Sequence, residues 1–293
     1  MLRAAACLVA CLALPAAAET SAVPARVVSI NLCTDQLAMM LAGPDQLISV
    51  SELASDPLAS SMPEEAAGYV QNRGGAEQVF LLKPDLVLAG TYTARASVDL
   101  LRRLGVRVEQ VEPVTSLAGV SIQIRQVAAA MGREAEGEAL VAEFEAALAA
   151  LASDLPPGEP PDQALVPAAL YYPNGYTTGK GTLSDDVLAH TGFSNIGASA
   201  GVTGGGILPM ELLVMAEPAL VVTSKPYPGA SRSEEILSHP ALTQLKGRVG
   251  VVAFSDADWI CGTPHILRAV AAMRAARLSA GGVATAQPEG AGE

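Results

Sequence analysis

The stretch EQVFLLKPDLVLAG, residues 77–90, indicates the fold because the chain repeats its plan in ELLVMAEPALVVTS, residues 211–224. Each copy begins with a glutamate, places a proline seven positions later and continues into an apolar run typical of a buried strand. The proline ends the short helical pattern that precedes it. The two copies lie 211 − 77 = 134 residues apart. The sequence therefore predicts two lobes of like topology.

Strand and helix patterns alternate along both halves of the chain. The predicted strands are residues 25–32, 46–51, 85–90, 106–113, 163–172, 219–224 and 248–255. The predicted helices are residues 33–43, 76–82, 97–105, 182–192, 210–216, 233–247 and 263–278. Such alternation is typical of an α/β protein whose sheets are mostly parallel and carry helices on their faces. Residues 52–75 are rich in Ser, Pro and Gly and are predicted to form a long loop.

The two halves are separated by EAEGEALVAEFEAALAALASDL, residues 134–155. Its apolar residues recur at helical spacing, and at ~1.5 Å per residue it would run roughly 30 Å. We predict a single long rigid helix that joins the lobes, with a ligand cleft between them; a helix packed on the surface is the alternative. The predicted organisation is a signal peptide (1–18), an N-terminal lobe (19–133), the linking helix (134–155), a C-terminal lobe (156–280) and a flexible tail (281–293).

The N-terminus has the pattern of a secretory signal peptide. Arg3 supplies a positive charge, residues 4–15 supply an apolar stretch, and three alanines at 16–18 form a small-residue cleavage site. We therefore expect an exported, periplasmic protein. Residues 8–11, LVAC, resemble a lipoprotein cleavage box ending at Cys11, so a lipid anchor is the alternative.

The charge balance disfavours nucleic acid as a partner. The chain has 18 Lys and Arg residues against 30 Asp and Glu residues, a net charge of −12. A surface of this sign repels phosphate backbones.

Motifs for catalysis or for a metal site built by the protein are weak. GYTTGKGT, residues 175–182, imitates a phosphate loop, but glycine rather than Ser or Thr follows the lysine. No H-E-x-x-H motif occurs. An exported α/β hydrolase, or a thiol enzyme that uses Cys33 with His265, is the alternative to a binding protein. His265 is also the one histidine that we consider as a ligand of haem iron.

Three motifs together resemble the periplasmic binding proteins of ABC importers for iron–siderophores, haem and cobalamin. They are VVSINLCTDQLAMMLA (27–42), KPDLVLAG (83–90) and TTGKGTLSDDVLAHTGFSNI (177–196). The resemblance implies a non-enzymatic protein without a cofactor, which binds a metal chelate or corrinoid between its lobes and delivers it to a membrane permease. Siderophore, haem and cobalamin all stay open as ligands. We expect the protein to be a monomer.

The resemblance also implies roles for individual residues. Glu77 and Glu211 match the surface glutamates that dock onto arginine pockets of the permease. Tyr176 and Trp259 match cleft loops of the second lobe, and Trp259 is the only tryptophan of the chain. Open α/β sheets bind ligands at the carboxyl ends of their strands, which adds two lobe-one loop residues, Arg73 and Tyr92.

Cys33 and Cys261 are the cysteines that remain after the signal peptide. Cys33 follows the first predicted strand of lobe one, and Cys261 follows the last predicted strand of lobe two. Both would face the opposite lobe, and an oxidising compartment permits a disulfide if their Cα atoms approach within about 7 Å. Two buried free thiols are the alternative.

Overall fold

The computed structural model describes residues 23–153, 165–226, 228–229 and 231–284 of the 293-residue chain. The predicted signal peptide with Cys11, residues 154–155 of the predicted linking helix and residues 285–293 of the predicted tail lie outside the described residues. Within the described ranges, no helix has both the length and the apolarity needed to cross a membrane.

Two sheets organise the two lobes. Lobe one contains β1 (Val27–Ser29), β2 (Leu47–Ser51), β3 (Val70–Asn72), β4 (Leu86–Gly90) and β5 (Val108–Val111), in the order β3-β2-β1-β4-β5. Lobe two contains β6 (Val166–Leu170), β8 (Phe193–Asn195), β10 (Leu220–Ser224) and β11 (Gly250–Phe254), in the order β11-β10-β6-β8. All neighbours in these two sheets are parallel, whereas β7 (Tyr176–Thr178) and β9 (Gly205–Ile207) form a separate antiparallel pair. The predicted α/β class is confirmed.

Helices connect the strands and cover the sheets. Those of lobe one and the link are α1 (Leu32–Leu41), α2 (Pro63–Ala66), α3 (Ala76–Leu81), α4 (Arg95–Arg103), α5 (Leu117–Met131) and α6 (Glu134–Ser153). Those of lobe two are α7 (Leu183–His190), α8 (Ile196–Ser199), α9 (Met210–Met215), α10 (Pro240–Lys246), α11 (Asp256–Trp259) and α12 (Leu267–Ala284).

The two lobes share one strand order, which confirms the predicted repeat. The first strand of each lobe, β1 or β6, lies between the second core strand, β2 or β8, and the strand that follows the repeated proline, β4 or β10. The repeat extends to the backbone, because Lys83 and Glu217 have φ angles of 51° and 45° directly before Pro84 and Pro218. A left-handed residue followed by proline ends a helix, so both copies turn from helix to strand in the same way.

Two helices, rather than one, carry the chain from lobe one to lobe two. α5 begins after Ser116, whose side chain accepts a hydrogen bond from the Gly119 N–H, and ends at Gly132 in the left-handed conformation. α6 follows, and its 20 residues span about 30 Å. The link is therefore a helical hairpin, and the single helix predicted over residues 134–155 is its second arm.

The first arm of the hairpin is attached to both lobes. The backbone N–H of Leu117 donates to Oδ2 of Asp186 in α7 of lobe two at 2.7 Å. At the other end of α5, Nε2 of Gln46 in lobe one donates to the carbonyl of Met131 at 2.8 Å. α5 therefore runs from the interface between the lobes to the far side of lobe one.

One hydrophobic core extends through both lobes and the helical hairpin. It includes Leu37 of α1, Ile124 of α5, Phe144 of α6, Leu170 of β6 and Met273 of α12. Burying a side chain of this size stabilises the folded state by about 1.5–3 kcal/mol. Because the connecting helices contribute to the shared core, packing rather than a flexible linker sets the orientation of the lobes.

Two sequence predictions about irregular regions are wrong in part. The long loop predicted over residues 52–75 contains a turn of 3₁₀ helix, α2 and β3. The last helix, predicted over residues 263–278, continues to Ala284, so the first four residues of the predicted tail are helical.

Candidate ligand-binding cleft

The carboxyl ends of the lobe-one strands form the floor of a cavity of about 580 Å³. Each of the five strands supplies a lining residue at or just beyond its end: Asn31 after β1, Ser51 of β2, Asn72 of β3, Gly90 of β4 and Val111 of β5. This is the edge at which open parallel sheets bind ligands.

A second cavity of about 960 Å³ lies between the lobes. Residues of lobe one such as Glu112 line one side, and Tyr172 and Trp259 line the other. Five residues line both cavities: Tyr92, Glu112, Pro113, Val114 and Ile260. The two cavities are therefore parts of one continuous cleft.

Aromatic side chains from both lobes line this cleft. Tyr92 of lobe one is 88% exposed and Tyr176 of lobe two is 44% exposed, so both rings are accessible to a ligand. Trp259 packs against Phe254 at a centroid distance of 4.5 Å and meets the edge of Tyr172 at 6.4 Å. Trp259 thus has a packed side and still borders the cavity, which is the geometry of a fixed aromatic surface.

The predicted ligand-binding residues Arg73, Tyr92, Tyr176 and Trp259 all line one or both cavities. Their contact with a ligand stays a prediction. Tyr172 belongs to the segment of residues 171–180 that the strand-end rule places at the cleft, but only Tyr176 of that segment was named as a ligand contact. The signal that could have found it is its place beside β6, at the carboxyl end where cleft residues gather.

The cleft carries little net charge. Glu52, Arg73 and Glu112 are the Asp, Glu, Lys and Arg residues among the described residues that line the two cavities. Nε of Arg73 lies 2.9 Å from Oε2 of Glu52, so a carboxylate already faces the guanidinium. Both side chains are more than half exposed, and an ion pair of this kind contributes only about 0–1 kcal/mol to stability.

The floor of the cleft is held by asparagine side chains. Oδ1 of Asn31 accepts from the backbone N–H of Cys33 at 3.1 Å and so caps α1. Nδ2 of Asn72 donates to the carbonyls of Ser29 and Val50, which ties β3 to β1 and β2. Gly90 packs tightly here, because a Cβ at this position would lie 2.8 Å from Nδ2 of Asn31.

A buried carboxyl group lies beneath the floor. Asp35 of α1 is fully buried, and its Oδ1 accepts from the backbone N–H of Ser51 at 3.1 Å. The Ser51 hydroxyl donates to the other carboxyl oxygen. Burial raises the pKa of Asp35 to about 6, against the lowering effect of hydrogen bonds with Ser29 and Ser51.

A disulfide joins the two lobes beside the cleft. Cys33 is bonded to Cys261, and their Cα atoms are 5.2 Å apart. Close by in sequence, the Thr263 hydroxyl donates to Oε1 of Gln36 at 3.1 Å. The start of α1 is therefore attached at two points to the loop that follows the last strand of lobe two.

The segment that carries Trp259 is also hydrogen-bonded to lobe one. The backbone N–H of Ala257 donates to the carbonyl of Leu58 at 3.0 Å, and the Ser61 hydroxyl donates to the carbonyl of Ala257. The backbone of α11 is thus held by lobe one while the Trp259 ring packs on lobe two. This segment forms a fixed wall that spans the two lobes.

The thiol-enzyme alternative is wrong, because the sulfur of Cys33 is bonded to Cys261 and offers no thiolate. Its other proposed member, His265, does not line either cavity. Burial and the nearby Arg268 lower the pKa of His265. Among the residues that the structure describes, no group of three or more His, Cys, Asp or Glu side chains is placed to bind a metal ion.

The two predicted docking glutamates lie outside the cavities. Glu77 is exposed in the first turn of α3, and Glu211 is exposed in the first turn of α9. Neither is among the residues that line the cleft. Both are therefore available to a macromolecular partner while a ligand occupies the cleft.

Comparison with known sequences gives a consistent result. Residues 27–247 match the family model described as periplasmic binding protein. A cobalamin-binding protein of Halobacterium salinarum is 29% identical over 201 residues, which are 68% of this chain and 54% of that protein. An uncharacterized ABC transporter substrate-binding lipoprotein of Bacillus subtilis is 27% identical over 207 residues, 69% of this chain and 64% of that protein. The chain thus spans about half to two thirds of the length of these relatives.

The fold has counterparts among solved structures. The periplasmic haem-binding protein RhuT from Roseiflexus sp. RS-1, in its apo form, matches with a TM-score of 0.70. The match covers 87% of this chain and 98% of that one at 24% identity. At this identity the similarity shows the two-lobed fold and does not identify the ligand.

Proposed function

The chain belongs to the periplasmic binding protein family, and from this membership we propose that it captures one metal chelate in its cleft and delivers it to the permease of an ABC importer. The observation that carries the proposal is the cleft itself. It lies at the carboxyl ends of the strands and is lined by aromatic side chains of both lobes.

The ligand that fits this cleft best is a corrinoid of the cobalamin class. A corrinoid is a large, flat macrocycle surrounded by neutral amide groups, and it needs aromatic faces and hydrogen-bonding groups rather than many cations. Arg73 is the one basic side chain among the described residues that line the cavities, and Glu52 already faces it. A catecholate siderophore or the two carboxylates of haem call for more positive charge. The Halobacterium relative, named a cobalamin-binding protein, supports the same choice.

Tryptophan fluorescence gives a direct test of the ligand. Because Trp259 is the only tryptophan, its emission reports on the cleft alone. Cyanocobalamin should quench it in a saturable manner that ends at one equivalent, whereas haemin and a ferric hydroxamate should give no saturation. Free N-acetyl-tryptophanamide in parallel corrects for light absorbed by the chelates. Saturation by haemin or the hydroxamate, but not by cyanocobalamin, would replace the corrinoid with that chelate.

Export to the periplasm is part of the proposed function. The pattern of residues 1–18 supports removal of a signal peptide, so the mature chain should begin at Glu19. The Bacillus relative is named a lipoprotein, which keeps a lipid anchor at Cys11 as the alternative. The intact masses of the protein from the soluble periplasmic fraction and from the membrane fraction distinguish them, since a diacylated chain that begins at Cys11 would contradict cleavage before Glu19.

We propose that Glu77 and Glu211 dock the loaded protein onto the permease. Both glutamates are exposed, and each stands seven positions before its proline in the sequence, which supports a paired role. The double variant Glu77→Ala/Glu211→Ala should abolish uptake in reconstituted vesicles, because loss of a buried charge partner costs ~2–5 kcal/mol. Its affinity for the ligand should stay within about threefold of wild type, since neither glutamate touches the cleft. Glu143→Ala, an exposed change on α6, is the matched control; normal uptake by the double variant would refute the docking role.

A further inference from the structure

Each lobe exposes the same pair of apolar side chains beside its glutamate. In α3, Phe80 and Leu81 are 42% and 78% exposed, and in α9, Val214 and Met215 are 40% and 77% exposed. In both copies these side chains stand three and four positions after the glutamate of the repeat. We name Phe80 with Leu81 the lobe-one pad, and Val214 with Met215 the lobe-two pad.

The fold fixes the outward direction of both pads. Val79 and Leu213, the residues just before each pad, are fully buried and anchor the inner side of the helix. Two residues after each pad the chain takes the left-handed conformation at Lys83 or Glu217, which ends the helix, so both pads lie in its last turn. Exposed apolar side chains are common by themselves, but the recurrence of an adjacent pair at the same position in both lobes points to a shared contact surface.

We propose that the two pads are the apolar contact points for the permease, each seated in an equivalent apolar depression bordered by a basic side chain. This inference rests on the proposed transport function and deepens it. Equal position and exposure of the pads in both lobes match a partner that offers the same site twice. The carboxylate beside each pad calls for positive charge at the edge of each depression.

A second copy of this chain is a poorer occupant. Pad-to-pad association would bring the adjoining glutamates of two molecules together, and the net charge of −12 on each chain opposes it. The Lys83 position in lobe one and the Glu217 position in lobe two are both exposed and differ in charge. The feature that the two lobes share is therefore the glutamate with its apolar pad, and we assign this feature to the contact with the two equivalent sites of the permease.

Photo-crosslinking tests the equivalence of the two sites. A benzophenone amino acid is placed at Leu81 or at Met215 in the full chain, and membranes of the producing cells are irradiated with it. Both positions should crosslink to the same multi-span membrane polypeptide and to the same peptide of it. Ile122 on α5, which is also exposed and apolar, is the matched control and should give no such product. Crosslinks to different polypeptides, to a second copy of this chain alone, or at a yield equal to that from Ile122 would overturn the inference.

Substitutions test whether the pads contribute affinity. Leu81→Ser and Met215→Ser should each raise the half-saturating concentration for uptake about tenfold, which corresponds to about 1.4 kcal/mol of lost apolar burial. Ile122→Ser should leave uptake unchanged, and none of the three should alter cyanocobalamin titration of Trp259. If the half-saturating concentration for uptake is unchanged in both pad variants, the pads do not contact the permease, even if the Glu77→Ala/Glu211→Ala variant is inactive. Failure to bind cyanocobalamin would instead refute the proposed ligand, and the crosslinking result would still decide the pads.

Discussion

Replacing Cys33 and Cys261 together with alanine should lower the free energy of unfolding by about 5 kcal/mol. The disulfide joins positions 228 residues apart. In the chain-entropy model, a bridge that closes so long a loop lowers the conformational entropy of the unfolded chain by an amount worth about 5 kcal/mol at 25 °C. Alanine suits the site, because Cys261 is buried in a small apolar cluster with Leu32 and Ala59. The loss therefore comes from the missing bridge rather than from a polar group placed in the core.

Thermal unfolding of the mature protein measures this loss. For a chain of this size, 1 kcal/mol corresponds to about 2–4 °C, so the variant should unfold about 10–20 °C below the wild type. Reductant should lower the melting temperature of the wild type by a similar amount. It should leave the melting temperature of the double variant unchanged, and this variant serves as the control. A difference below about 3 °C between oxidised wild type and variant would refute the reasoning. It would mean that residual structure already restricts the unfolded chain, or that the bridge is not formed.

Three further changes test particular parts of the cleft. Trp259→Ala should weaken ligand binding by ~2 kcal/mol, about 30-fold in calorimetric titration, because it removes a packed aromatic wall; affinity equal to wild type would mean that the ring only packs. Gly90→Ala should lower the melting temperature by about 2–4 °C, since its Cβ would displace Asn31 from the cap of α1; an unchanged melting temperature would contradict this. Asp35 has a pKa raised to about 6, so it binds its proton more tightly when folded, and its contribution to stability should fall by about 3 kcal/mol as the pH rises from about 4 to above 6. The free energy of unfolding, measured with urea across this pH range, should not fall in Asp35→Asn. It should fall as in the wild type in Asp99→Asn, which changes an exposed carboxylate. Equal pH dependence in the wild type and both variants would contradict the role of Asp35.

The repeated segment predicted the elements that depend on local sequence. In both copies a short helix, a proline and a buried strand fall where the pattern placed them, as α3 with β4 and α9 with β10. These elements are predictable because proline and an apolar run act over a few residues. α5 was not predicted, although Ser116 and Gly132 cap it and its buried apolar residues recur at helical spacing from Leu117 to Met131.

The short elements had no usable pattern. β3 contains three residues and is an edge strand, and β9 consists of two glycines and an isoleucine. Their pairing depends on neighbours that are distant in sequence, so periodicity cannot reveal it. The floor residue Asn72 was missed for the same reason, since its segment was predicted to be a loop.

Those residues that line the cleft because they lie beyond the carboxyl end of a strand were predictable from the sequence. Tyr92 follows the predicted strand 85–90, and Arg73 lies in the long loop predicted after strand 46–51; the rule for open sheets places such residues in the cleft. The contacts that hold the wall were not predictable, because the hydrogen bonds of Ala257 with Leu58 and Ser61 depend on how the two lobes face each other. That orientation follows from the packing of α5 and α6 in the shared core.

Native mass spectrometry of the mature protein in a competition tests the central claim most directly. The protein is mixed with equimolar cyanocobalamin, haemin and a ferric hydroxamate, each in slight excess over the protein. Arg73 is the one basic side chain among the described residues that line this aromatic cleft, and it already faces a carboxylate, so we predict a dominant complex of one protein with one cyanocobalamin. The Trp259→Ala variant should show that complex at much lower abundance. A dominant complex with haemin or with the hydroxamate would contradict the account.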